Sequence, residues 1–178
     1  LATTQNPVDI TTSPNITDGS RAATFVWNGG AGNFTLQTGG WLGIGSAAGI
    51  TSSGLTGNIQ VAGTRSYNSG ATYEFYEGLT PQSTGNFVTT TTSALYPSQV
   101  TNLIINKTFP TNSVVLTNTT DVLSTLTLTK GVLNTSFTAA TAPWVRIPST
   151  GTVSPIGGSL ASYVDGYLRK DRKSTRLN

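Results

Sequence analysis

From Thr24 onward the hydrophobic residues come in short β-branched and aromatic runs separated by Gly, Asn, Ser and Thr, among them "TFVWNGG", "NFTLQTGGWLGIG", "ATYEFYEG", "TNLIINKT", "SVVLTN" and "STLTLTKGVL". Many runs alternate with period two, the mark of an extended segment with one buried face. In Leu126-Thr127-Leu128 the leucines share one face, while Thr125, Thr127 and Thr129 take the other. Threonine suits that outer face, because its β-branch stiffens the extended backbone and its hydroxyl stays wet. No stretch places apolar residues at i, i+3, i+4 and i+7 over three turns, so the pattern predicts an all-β chain with essentially no helix.

Two all-β layouts compete. A β-sandwich needs antiparallel hairpins, whose strongest signal is a two-residue Asn-Gly or Asp-Gly loop between alternating strands. The Asp-Gly dipeptides are Asp18-Gly19 and Asp165-Gly166, and neither sits between two clear strands. A β-solenoid asks instead for short strands stacked coil on coil, with small or polar corners. Apolar peaks such as Leu103, Leu126 and Val145 recur at irregular spacings of ~20 residues, which favours the solenoid. Asn86, Asn102, Asn118 and Asn134 are spaced sixteen apart. That spacing suggests a corner ladder of stacked side chains, with coincidence an equal explanation in so Asn-rich a chain. Residues 1–23 are polar and aperiodic and read as a lead-in or partial first rung, residues 24–170 as the solenoid.

The chain has no Cys and no His, which removes disulfides, thiolate or imidazole metal sites and every nucleophile–histidine arrangement. No metal or other cofactor is expected. No apolar run approaches the ~20 residues needed to cross a bilayer, so no membrane insertion is expected. With no Met and an opening of "LATTQNPVDI", the chain reads as an internal piece of a longer product.

Charge is scarce except at the end, "LRKDRKSTRLN", where six of eleven residues are charged. A basic arm for nucleic acid is one reading of that cluster. However, Asp171–Asn178, "DRKSTRLN", resembles a translated sequencing-library adapter along all eight residues. Removing its three cations and one acid leaves seven Lys/Arg against six Asp/Glu, so the net charge drops from +3 to +1. No nucleic-acid partner is expected from what remains.

Four phrases, Gly49–Gly85, Val100–Thr108, Leu123–Thr135 and Ser162–Lys170, resemble in content and order the β-solenoid segments of large surface proteins of the Bacteroidota. Those proteins are exported by the type IX route and are described as adhesin-like or autotransporter-like. The resemblance spans about residues 40–170. It implies a single-stranded right-handed parallel β-helix, an extracellular or cell-surface location, and a structural or adhesive role. Neighbouring rungs or domains of the same polypeptide would be its partners. The C-terminal sorting domain of such proteins is not in this sequence.

The densest aromatic stretch, "SYNSGATYEFYEG", supplies the candidate binding residues for an alternative reading, carbohydrate binding or polysaccharide processing along the solenoid flank. Tyr67, Tyr73, Glu74, Tyr76 and Glu77 would form a platform of rings beside carboxylates, facing surface glycans. Burial of the same rings in the core is the stronger expectation for their area. As a strand, the stretch puts Tyr73, Phe75 and Glu77 on one face and Glu74 with Tyr76 on the other. Glu74 and Glu77 therefore diverge and do not make a glycosidase pair. No catalytic residue is assigned. The leading expectation is a non-catalytic spacer or stalk.

Overall fold

The computed structural model describes residues 33–76, 81–85, 98–137 and 143–171. Among them are strands and turns, with no helix. The strands are β1 (Phe34–Leu36), β2 (Trp41–Ile44), β3 (Arg65–Tyr67), β4 (Thr72–Tyr76), β5 (Gln82–Ser83) and β6 (Ser98–Asn106). They continue with β7 (Ser113–Val115), β8 (Thr120–Asn134), β9 (Val145–Ile147), β10 (Thr152–Ser154), β11 (Ser162–Asp165) and β12 (Leu168–Lys170).

Every pairing between these strands is parallel. The one antiparallel bridge among the described residues joins Ser159 to Ser162, where a loop enters β11. Parallel neighbours cannot be joined by tight hairpins, so the β-sandwich alternative fails. The chain is a β-solenoid of about four turns.

Each turn visits three faces. On the first, β1 pairs with β3, and farther along the stack the start of β6 lies beside the start of β8, followed by β9 and β12. On the second, β2, β4, the end of β6, the middle of β8 and β10 run in series. On the third, β5, β7, the end of β8 and β11 do the same. The 15-residue β8 thus belongs to all three faces in turn.

Alternation along each strand turns apolar side chains inward in files. On the second face Leu42, Tyr73, Leu103, Leu126 and Val153 stand one above another, beside Ile44, Phe75, Ile105 and Leu128. From Leu42 to Leu128 these side chains are at most 3% exposed. Each buried side chain of this size stabilises by roughly 1.5–3 kcal/mol, so the files are the main cohesive element.

The steps along the first of these files are 31, 30, 23 and 27 residues, longer than the apolar spacing in the sequence. Val145, grouped with Leu103 and Leu126 by spacing, lies instead on the first face, opposite Thr120. The sixteen-residue asparagine ladder does not form. Asn102 stands between Thr72 and Thr125 on the second face, Asn134 between Val115 and Asp165 on the third, and Asn86 lies outside the described residues. A step of sixteen is shorter than a whole coil, so it cannot return to the same corner.

Candidate functional site

The candidate platform centres on β4, "TYEFY". Tyr73 and Phe75 point inward and are 0% exposed, as their alternation predicts. Glu74 and Tyr76 take the opposite side, yet they too are buried. In the next coil Asn106 lies in register with Tyr76, and its Nδ2 donates to Glu74 Oε1 at 2.7 Å. The carboxylate is therefore tied to its neighbouring coil.

Tyr67, on β3, is also a core ring, tilted against Phe34 at 5.7 Å. Its hydroxyl donates to the Thr51 carbonyl at 3.1 Å, while the Tyr73 hydroxyl donates to the Asn68 carbonyl at 2.7 Å. Burial pushes the Tyr67 phenol up to about 12, with the nearby Arg65 charge opposing it, and burial raises Tyr73 further. Glu77 lies outside the described residues.

The structure brings Tyr67, Tyr73, Glu74 and Tyr76 into one part of the stack, but as interior rather than platform. Their exposures of 5, 0, 2 and 1% leave no ring face of these tyrosines for a sugar to stack on. Trp144, just before β9, is half-buried and edge-on to Tyr167 at 5.8 Å.

Three polar clusters escaped the sequence reading. Arg65 begins β3 on the inward side, and its guanidinium donates to the carbonyls of Thr51, Ser53, Gly54 and Val61 and to the Thr51 hydroxyl. It ties the long connection Thr51–Thr64 to the body. A signal was present, because alternation in "RSY" sets Arg65 on the same side as the aromatic Tyr67.

The second cluster is a buried relay across three coils. Lys107 Nζ donates to Gln82 Oε1 at 2.6 Å, and Gln82 Nε2 donates to the carbonyls of Ile44 and Ser46 at 2.8 and 2.9 Å. The third lies on the outer side of the first face, where Asp121, Arg146 and Arg169 are in register. Arg146 Nε reaches the fully buried Asp121 at 2.9 Å, and Asp171 bridges Arg146 at 3.6 Å and Arg169 at 2.8 Å. No pattern within one strand reveals either group, since each depends on coil-to-coil register.

These clusters join coils to one another. The described carboxylates Glu74, Asp121, Asp165 and Asp171 are spread over different faces and the last coil, and no three His, Cys, Asp or Glu among the described residues converge as metal ligands. The tail cations Arg169 and Lys170 are engaged within the protein, the latter through Nζ to the carbonyls of Pro148 and Gly151. Among the described residues no helix is long and apolar enough to cross a membrane. Comparison of the chain with protein-family models, curated proteins and solved structures finds no match.

Proposed function

We propose that the chain is a non-catalytic structural segment, a spacer or stalk, of a bacterial surface protein. In this reading it is exported to the cell surface or the medium and stacked against further coils of its own polypeptide. The observation that supports this best is the continuity of the stack. Inward files run coil over coil on three faces, and polar groups that a ligand site would expose, including Glu74, Gln82, Lys107 and Asp121, are buried and bonded between coils. Such cross-links resist sliding of one coil on the next, which is what a load-bearing rod needs.

Single-molecule pulling on a tandem polyprotein tests this reading. A rod segment should lengthen in discrete steps, each releasing about one coil, at forces that fall when the Asp121–Arg146 tie is removed by Arg146→Met. Smooth extension at negligible force would end the proposal. A broad glycan array checks the carbohydrate alternative in parallel. Silence is expected, and binding that is lost in Tyr76→Ala would replace the rod by a lectin-like flank.

A further inference from the structure

The two ends of the described stack differ. In the first coil the inward residues Phe34, Leu36, Leu42 and Ile44 are 3, 0, 2 and 1% exposed. In the last, Val153, Val164 and Leu168 pack on the core but remain only partly buried. Together with Leu128, Gly157, Gly158 and Tyr163 they line an apolar cavity of about 240 Å³. Ile156 and Leu160, in the same loop, are 95 and 101% exposed.

We infer that the C-terminal end of the stack is its receiving end, which takes one further β-coil of the same column, laid parallel on β10, β11 and β12. The occupant's chemistry follows from the files it must extend. Aliphatic residues are needed above Val153, Val164 and Leu168, where the second, third and first faces end. On the outer side of the first face the file runs Asp121, Arg146, Arg169, so it ends on two consecutive cations. Asp171 serves both, and the Arg169 side chain is still 51% exposed. An acidic residue in register above Arg169 gives that terminal cation a cross-strand partner of opposite charge.

A continuing coil fits better than a second copy. Head-to-tail stacking would need open inward files in the first coil, and those side chains are already out of water. Tail-to-tail stacking would set Arg169 and Lys170 of one copy against the same pair in the other. This inference rests on the reading of the chain as a rod segment, and it adds a direction of growth and a sequence requirement.

The test uses two extended proteins in which residues 148–171 are repeated directly after Lys170. The repeat thereby places a second Leu168-Arg169-Lys170 strand in register over the first. One protein keeps arginine above Arg169, and the other carries Arg169→Glu in the repeat. Hydrogen exchange at Leu168–Lys170 should slow by about tenfold or more relative to the parent chain, roughly the change that one well-formed hydrogen bond produces. The slowing should be larger with glutamate than with arginine.

No slowing in either protein overturns the inference. So does a parent chain that sediments as a dimer and reverts to monomer in Leu168→Asp, because that assigns the face to a second copy. Exchange at β6 and β8 in the same samples reports on the stack itself, so failure of the rod reading would be seen separately from failure of its end.

Discussion

At Gly131 the chain turns a corner without leaving β8, whereas between Thr51 and Thr64 it turns one by a long excursion. The Gly131 turn relies on backbone conformation. Its φ of +96° is open chiefly to glycine, and an added Cβ would meet Lys107 Cγ at 2.5 Å and the Asn112 carbonyl at 2.8 Å. The excursion relies on donors instead. Its carbonyls are gathered by Arg65 and Tyr67, both belonging to the following strand. Both solutions serve the same parallel register. Coil length is therefore free to vary, provided each corner either avoids the space it would fill or satisfies the carbonyls it carries.

The sharpest way to break this comparison is Gly131→Val. A β-branched residue at positive φ costs about 1–3 kcal/mol in strain. Overpacking against Lys107 adds about 1–3 kcal/mol. A loss on the order of 4 kcal/mol is expected, read as a lower urea midpoint, with Lys107 and Gln82 perturbed together. A Gly131→Ala variant as stable as the parent would show that the corner does not depend on the missing side chain.

Arg65→Met attacks the other corner. It leaves the buried Val61 carbonyl without the Arg65 donor and frees the partly exposed carbonyls of Thr51, Ser53 and Gly54 to water. A buried acceptor left unmade costs about 1–3 kcal/mol, so a loss of about 2–3 kcal/mol is expected. Faster hydrogen exchange and protease cleavage should be confined to Thr51–Thr64, with β8 unchanged. Uniform loosening of β8 would mean that the excursion is not an independent unit.

The contrast also marks what sequence reasoning reached. Period-two alternation identified the strands, and "STLTLT" identified Leu126 and Leu128 as inward, because those signals lie within one strand. The scarcity of hairpin turns pointed to stacking. Which residue stacks on which was hidden, because the corners differ in length. Val145 was grouped with Leu126 for that reason, and the sixteen-residue asparagine period led nowhere. The candidate sugar platform meets a similar limit. Tyr76 and Glu74 occupy the outer side of β4, yet their burial depends on surroundings that alternation does not describe.

Alkaline titration sharpens the comparison through Tyr67, whose hydroxyl is part of the Thr51 tie. Its folded pKa of about 12 lies above the ordinary 10, and Tyr73 is raised in the same direction. Between those values the unfolded chain has lost a proton that the folded chain still holds. The stabilisation is therefore complete below pH 10 and is lost as pH rises toward 12. A two-unit shift corresponds to roughly 2–3 kcal/mol by pH 12. Tyr67→Phe should flatten the decline of the thermal midpoint between pH 10 and 12, and an unchanged slope would remove Tyr67 from the account.

The smallest effect belongs to the short connection between β7 and β8, which turns the same corner as the excursion within a few residues. Thr117 replaces the arginine there. Its amide donates to Thr84 Oγ1 at 2.9 Å, the two hydroxyls lie 2.9 Å apart, and its own hydroxyl donates to the Gly85 carbonyl. Because Thr117 is exposed, water can replace what Thr117→Val removes, so a loss of only about 0.5–1 kcal/mol is expected. The short corner is held to the preceding coil by one hydroxyl and one amide, whereas the long one has its own carbonyls gathered by a guanidinium. If Thr117→Val cost as much as Arg65→Met, corner length would not set the demand for donors, and the division between the two kinds of corner would fail at its most economical example.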